Sequence, residues 1–176
     1  MPNAFEILPD GSVAMTCFDK YGNPKPDKVY FDLSDLELVK QYRWCTMQPQ
    51  TSKTLYAATM IKTYGKRTLF SLHQLLLPVP KPLSVDHIDR DGLNNRRSNL
   101  RRATSQEQKI NQGMRDDNSS GVKGVCWFKK TAKWVAYVHV NRKQIHLGSF
   151  DTLQAATQAR LEAEQKYFGP NVNLPV

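Results

Sequence analysis

Val85-Asp86-His87-Ile88-Asp89-Arg90-Asp91-Gly92-Leu93-Asn94-Asn95-Arg96-Arg97-Ser98-Asn99-Leu100-Arg101 sets a carboxylate beside an imidazole. A polar loop of Asp, Asn and Gly follows, and then an Asn at the head of a basic run. Hydrolysis of a phosphodiester needs a metal ion to polarise the phosphate and a base to take a proton from water. Asp86 can ligate such an ion and His87 can act as the base, while Arg96, Arg97, Arg101 and Arg102 offer charge to hold a polyanion. The stretch therefore reads as a nuclease active site. Asp86 and His87 should end a strand begun near Leu83, and Asp89 to Gly92 should form a turn. A helix should run from near Ser98 or Thr104 to about Asn111. Asn99 falls where the loop folds back, and its amide, both donor and acceptor, can pin that loop.

Outward from this stretch, composition narrows the field. The chain has 176 residues, 40% of them hydrophobic, with a formal charge of +9. That is enough apolar material for one domain or two small ones, and the basic excess favours nucleic acid or another anionic partner. The three cysteines, Cys17, Cys45 and Cys126, stand far apart with no C-x-x-C pair. This argues against a disulfide framework and against a structural zinc site. Met1–Glu6 has neither a basic start nor an apolar core, so a signal peptide is not expected, and no apolar run approaches the ~20 residues of a membrane span. The expectation is a soluble, intracellular protein, in the cytoplasm of a prokaryotic or phage-infected host, with no membrane partner.

From Phe5 to about Tyr64, short strand-like runs alternate with turn residues. Phe5–Leu8 leads through Pro9-Asp10-Gly11 into Val13–Phe18, and Tyr21-Gly22-Asn23-Pro24 precedes Val29–Phe31. Ser34 with Glu37 reads as a capping box for a helix over Leu36 to Tyr42. Leu55–Ile61 and Arg67–Phe70 read as a strand pair. This region holds no cluster of catalytic residue types, so it should supply core and a flank to DNA. His73, alone among leucines, reads as a hydrogen-bonded structural residue.

Residues 112–121 are polar and rich in Gly, Asn and Ser, which marks a linker. Beyond it, strands are expected at Val122–Phe128, Lys133–Val140 and Gln144–Leu147, then a helix capped by Asp151 or Thr152. Alternation puts Val125, Trp127, Trp134, Ala136 and Val138 on one face, toward an alanine stripe at Ala155, Ala156, Ala159 and Ala163. Cys126, Phe128, Val135, Tyr137, His139, Gln144 and His146 take the other face, edged by Lys129, Lys130, Lys133, Arg142 and Lys143. A polar, aromatic sheet face rimmed by cations can lie in a major groove.

Two stretches resemble known families. Val85–Asn111 resembles the core of an HNH endonuclease of the homing type. The resemblance lies in Val85-Asp86-His87-Ile88-Asp89, in Asn94-Asn95-Arg96 with Ser98-Asn99-Leu100-Arg101, and in Ala103-Thr104 before a Gln- and Asn-bearing helix. Leu72-His73, and Phe31–Leu36 with Trp44, are similar to the lead-in that often precedes such a core. Asn118–Gly169 resembles the Apetala/ethylene-response-factor DNA-binding domain, through Ser120–Val125, Lys133–Ala136 and Leu147–Thr152 with Ala155-Ala156.

The first resemblance implies a ββα-metal fold with His87 as general base, Asp86 as metal ligand and Asn99 as the residue that fixes the loop. The helix ligand, usually His or Asn, falls on Gln108, with Asn111 as the alternative. The ion implied is one divalent cation, Mg²⁺ or Mn²⁺, and the partner double-stranded DNA. The second resemblance places Lys123, Tyr137, His139 and His146, with the cations above, at a DNA face that lacks the arginines usual in plant members.

The expected class is therefore α+β. Residues 1–111 would form a β-rich N-terminal region and nuclease core (core 72–111), joined by the linker 112–121 to a three-stranded sheet plus helix over 122–170 and a tail 171–176. The expected activity is metal-dependent DNA cleavage leaving 5′-phosphate and 3′-hydroxyl ends, by a monomer or a homodimer. The alternative is a DNA-binding regulator with an inactive core.

Overall fold

The computed structural model describes residues 2–50, 53–63, 65–114, 118–141 and 143–169. Arg142, residues 115–117 of the expected linker and the tail 171–176 lie outside these described residues. The chain divides into two units, Met1–Ser105 and Gln106–Val176. The first combines small antiparallel sheets with short helices and the second one antiparallel sheet with a short and a long helix, an α+β arrangement.

In the first unit, β1 (Ala4–Ile7), β2 (Ser12–Phe18) and β3 (Pro24–Asp32) form an antiparallel meander. The β1–β2 turn is set by Asp10, whose Oδ1 accepts from the Ser12 amide at 2.9 Å and the Ser12 hydroxyl at 2.6 Å. A 3-10 turn at Leu33–Asp35 runs into α1 (Leu36–Val39). Ser34 does not cap this helix, which is shorter than expected; Asp35 stands at its start and is buried against Arg97 instead. The second sheet contains β4 (Cys45–Met47), β5 (Tyr56–Thr63) and β6 (Lys66–Ser71), and α2 (Leu72–Leu76) follows. β7 (Ser84–His87) and β8 (Leu100–Ala103) close the unit as a hairpin. Of the two expected helix starts, the one near Thr104 agrees with the helix at Ser105–Asn111, while Leu100–Ala103 form a strand because Leu100 and Ala103 bury their side chains while pairing with β7.

One apolar core joins β2, β3, α1, β5, α2 and the β7–β8 hairpin. Val13, Met15 and Cys17 of β2 and Val29 and Phe31 of β3 meet Val39, Trp44, Ala57, Leu72 and Leu76, and the β7–β8 hairpin adds Val85 and Leu100. Each fully buried side chain of this size contributes about 1.5–3 kcal/mol relative to exposure. The hairpin is held by the same burial as the sheets beneath it.

The second unit holds the helix α3 (Ser105–Asn111) with β9 (Val125–Phe128), β10 (Lys133–Val140), β11 (Lys143–Phe150) and α4 (Leu153–Phe168). The sheet order is β11-β10-β9, antiparallel throughout. β11 outruns its expected end at Leu147, since a register shift opposite Ala136/Tyr137 absorbs one residue and lets pairing continue to Phe150. Thr152 caps α4, accepting from the Ala155 amide at 3.2 Å.

The buried stripe of α4 is Ala156, Arg160, Ala163 and Glu164, rather than alanines alone. Arg160 pairs with Glu164, and its Nε donates to the Lys123 carbonyl at 2.9 Å. Gly124 is required there, since φ is +76° and a Cβ would stand 2.8 Å from the Arg160 Nε. Trp127, expected under the helix, is 40% exposed and rests edge-on against Trp134 instead.

Candidate active site

β7 presents the two residues of the quoted stretch by simple pleating. Successive side chains on a strand take opposite faces. Val85 and His87 turn inward, while Asp86 turns the other way, opposite Arg101 of β8. Arg101 donates to Asp86 Oδ2 from Nε at 2.9 Å and from Nη2 at 2.8 Å. His87 is only 6% exposed, with Nε2 3.4 Å from Asn95 Oδ1. Burial pushes its pKa below the ordinary value of 6.5. The Asn95 hydrogen bond and the carboxylates of Asp89, Asp86 and Asp91 oppose that shift without cancelling it. His87 is thus neutral at neutral pH, the form a base requires.

The loop between the strands is pinned from inside. Asn99 accepts from the Asp89 amide at 3.0 Å, and its Nδ2 donates to Asp89 Oδ1 at 2.8 Å and to the Asn94 carbonyl at 2.7 Å. Asp89 also accepts from the Asp91 amide and from Asn94 Nδ2. Burial alone would raise the Asp89 pKa, but these hydrogen bonds outweigh it and hold the carboxyl below its ordinary value of 3.8. Asn95 is fully buried and donates through Nδ2 to the Gly92 carbonyl at 3.3 Å. Gly92 has no room for a side chain: a Cβ would lie 2.6 Å from the Tyr56 ring.

The N-terminal sheet holds the same loop from outside. Tyr30 of β3 donates to the Leu93 carbonyl at 2.9 Å and accepts from the Asn95 amide at 2.7 Å. Asp32 accepts from the Arg97 amide, and Asp35 takes the Arg97 guanidinium on both oxygens, at 3.0 and 2.6 Å. Arg96 lies over the Tyr30 ring and donates to Ser12 Oγ at 3.0 Å. Arg96, Arg97 and Arg101, expected at DNA, thus already carry protein partners, while Arg102 is exposed on β8.

His73 departs from the sequence reading. Its Nδ1 is buried without a hydrogen-bond partner, and its ring stands edge-on to His87 with centroids 5.1 Å apart. Burial, then the neighbouring His87, push its pKa down to about 4. Tyr56 touches both rings, at 5.8 Å from His73 and 5.9 Å from His87. Tyr56 had no local signal in the sequence, and although Asn95 and His73 stand in stretches that carry the resemblance, nothing local marked their contact with His87. Asn95 is one of two adjacent asparagines, and only burial distinguishes it.

In the second unit, Gln108 and Asn111 lie on α3, with Gln108 half-buried. Lys123 turns its ammonium onto the carbonyls of Lys109, Ile110 and Gln112 at 2.6–2.9 Å, where a cation suits a helix C-terminus. A phosphate at Lys123 would compete with those oxygens. Lys133 pairs with Asp151 at 3.1 Å. Lys129, Lys130, Lys143, His139 and His146 are exposed, and the half-buried Tyr137 packs edge-on against His139 at 5.5 Å.

No helix among the described residues is long and apolar enough to cross a membrane. Nor do the described residues gather three His, Cys, Asp or Glu side chains that could hold a metal ion. No solved structure matches the chain. Protein 3.8 of Escherichia phage T7 is 38% identical over 77 residues, which span 44% of this chain and 64% of that protein. The family model described as HNH endonuclease matches residues 78–109, the segment that carries Asp86, His87, Asn95 and Asn99.

Proposed function

We propose that the chain is a divalent-metal-dependent DNA endonuclease of the HNH homing type, with 72–111 as a ββα-metal core. The observation that carries this reading is a buried, neutral imidazole and a strand carboxylate at the mouth of an Asn-pinned loop, inside the segment that matches HNH endonucleases. Asp86 offers an oxygen donor, which suits a hard cation such as Mg²⁺ or Mn²⁺. Such ions are commonly held by one or two carboxylates and completed by substrate phosphate and water. The donor chemistry therefore fits at Asp86, while Gln108 and Asn111, the helix donors the resemblance implies, belong to the other unit. When bound, the ion would supply charge stabilisation to the scissile phosphate and the leaving 3′ oxygen.

The protein's own residues do the rest. His87, kept neutral by burial, takes the proton from the attacking water. The products would carry 5′-phosphate and 3′-hydroxyl ends. Arg101 holds the Asp86 carboxylate in one orientation, and Asn99 keeps the loop from moving away. One such site cuts one strand, so a single chain nicks duplex DNA and a pair of chains could cut both strands. The sheet of β9, β10 and β11 with α4 serves as an Apetala-like DNA-binding domain. Lys129, Lys130 and Lys143 would contact phosphates, and Tyr137, His139 and His146 would face bases.

The test is nicking of supercoiled plasmid in Mg²⁺ or Mn²⁺, with and without chelator. His87→Ala should abolish open-circle formation while DNA binding persists, and undiminished cutting would refute the mechanism. A second reading, a DNA-binding regulator with an inactive core, is favoured by the opposite faces of Asp86 and His87 and by Gln108 at the ligand position. It requires binding with no metal-dependent cutting by the unaltered chain.

A further inference from the structure

The second sheet continues past its third strand. Among the described residues β4 pairs with Tyr56, Ala57 and Ala58 of β5, and beyond Ala58 the strands β5 and β6 run on as a two-stranded ribbon. Met60 pairs directly with Leu69, and Lys62 with Arg67, which places these four on one face. Met60 is 56% and Leu69 47% exposed, although nothing polar about them asks for water. Lys62, Lys66 and Arg67 are exposed too, and none pairs with a carboxylate among the described residues. The surrounding sequence is one-sided: Leu38–Val85 carries Lys40, Arg43, Lys53, Lys62, Lys66, Arg67 and Lys81 and not one Asp or Glu.

The base of this ribbon is part of the candidate site. Tyr56, at the start of β5, touches the His87 ring, and the end of β6 leads directly into α2 and His73. Gly92 of the pinned loop seats against Leu55 and Tyr56. A polyanion bound at His87 therefore has an acid-free, cationic ribbon growing from the wall of the same site. A two-stranded β-ribbon has the width of the B-DNA major groove, and apolar side chains there meet thymine methyl groups.

Resting on the nuclease reading, we infer that the β5–β6 ribbon is a DNA-gripping arm beside the cut. Lys62, Lys66 and Arg67 neutralise phosphates of the flanking duplex, and Met60 and Leu69 lie against the groove. Removing one cation that neutralises a phosphate lowers the salt dependence of binding by about 0.9 in log–log slope.

The test uses the full chain carrying His87→Ala, so that DNA stays intact, and measures duplex affinity from 50 to 300 mM salt. The triple variant Lys62→Gln/Lys66→Gln/Arg67→Gln should lower the slope by about 2–3 and weaken binding about a hundredfold at 0.1 M salt. A charge-matched control, Lys20→Gln/Lys28→Gln/Lys40→Gln, should change both far less. Equal losses in the two triples, or none in the ribbon triple, overturn the inference. The pair Met60→Ser/Leu69→Ser should weaken binding without altering oligomeric state. A change of oligomeric state with binding intact would make the face a contact between copies of this chain and overturn the DNA assignment. Failure of the parent protein to bind DNA at all would refute the nuclease reading instead, so the two failures are separable.

Discussion

Asn99→Asp changes one atom group and should reverse the pH response of the β7–β8 loop. In the native loop the Asn99 amide donates to a carboxylate and to a carbonyl and accepts from a backbone amide. A hydrogen bond to a charged group contributes about 1.5–3 kcal/mol and a neutral one about 1 kcal/mol. Asn99→Ala should therefore cost at least about 3.5 kcal/mol, lowering the melting temperature by at least about 14 °C for a unit of this size. The Asp variant keeps the acceptor but sets a second carboxylate 2.8 Å from Asp89 Oδ1 and 2.7 Å from the Asn94 carbonyl, so at pH 7 it should lose at least as much. The signs then diverge. Native Asp89 has its pKa lowered, so its contribution is complete above the ordinary 3.8 and is lost only as pH falls through the folded value. In the variant, the two facing carboxyls share one proton as pH falls, because like charges at this distance raise one pKa, and the shared proton restores a hydrogen bond. The stability gap between variant and native protein should narrow from pH 7 to pH 5 in urea or thermal melts. A gap absent at pH 7, or one that widens on acidification, would refute the account of the loop.

Three further outcomes follow from the same geometry. His73 is held neutral with a pKa of about 4, so its burial contributes fully above the ordinary 6.5 and is lost between 6.5 and about 4 as the unfolded chain gains the proton. His73→Phe, which keeps a ring against His87, should remove up to about 3 kcal/mol of that acid sensitivity in melts at pH 7 and 4.5, while His73→Ala should also depress turnover. Gly92→Ala should drive Tyr56 off the His87 ring at a cost of about 1–3 kcal/mol, read as a lower melting temperature together with slower nicking. Lys123→Met should withdraw the cation from the end of α3 and speed hydrogen exchange of its amides, with exchange in β7 and β8 unchanged.

Much of this site could be read from residues near one another in the chain. The Asp86-His87 pair, the turn after it and the loop-folding Asn99 are local features, and the loop's internal hydrogen bonds join residues no more than ten positions apart. The basic excess and the strand–strand–strand–helix order of the C-terminal unit are equally local, because alternation and turn residues write them directly. Where the reading missed, a distant partner had overridden local preference. Ser34 is a good helix cap, yet Asp35 is drawn into a pair with Arg97, 62 residues away, and the helix is cut short. The sequence left the helix start open between Ser98 and Thr104, and the tertiary structure chose the later one, because β7 supplies a ladder for Leu100–Ala103 and the core takes Leu100.

By itself, then, the chain's order of residues determined the chemistry on offer: which side chains could act as base, ligand and loop pin, and the two-part α+β plan. Tertiary structure alone decided their electrostatic states and neighbours. It placed His73 and Tyr56 on the His87 ring, committed Arg96 and Arg97 to the N-terminal sheet, turned Asp86 onto Arg101 and left the β5–β6 ribbon bare. The reason is physical: burial and charge pairing depend on what arrives from elsewhere in the chain, and no window of sequence contains that information.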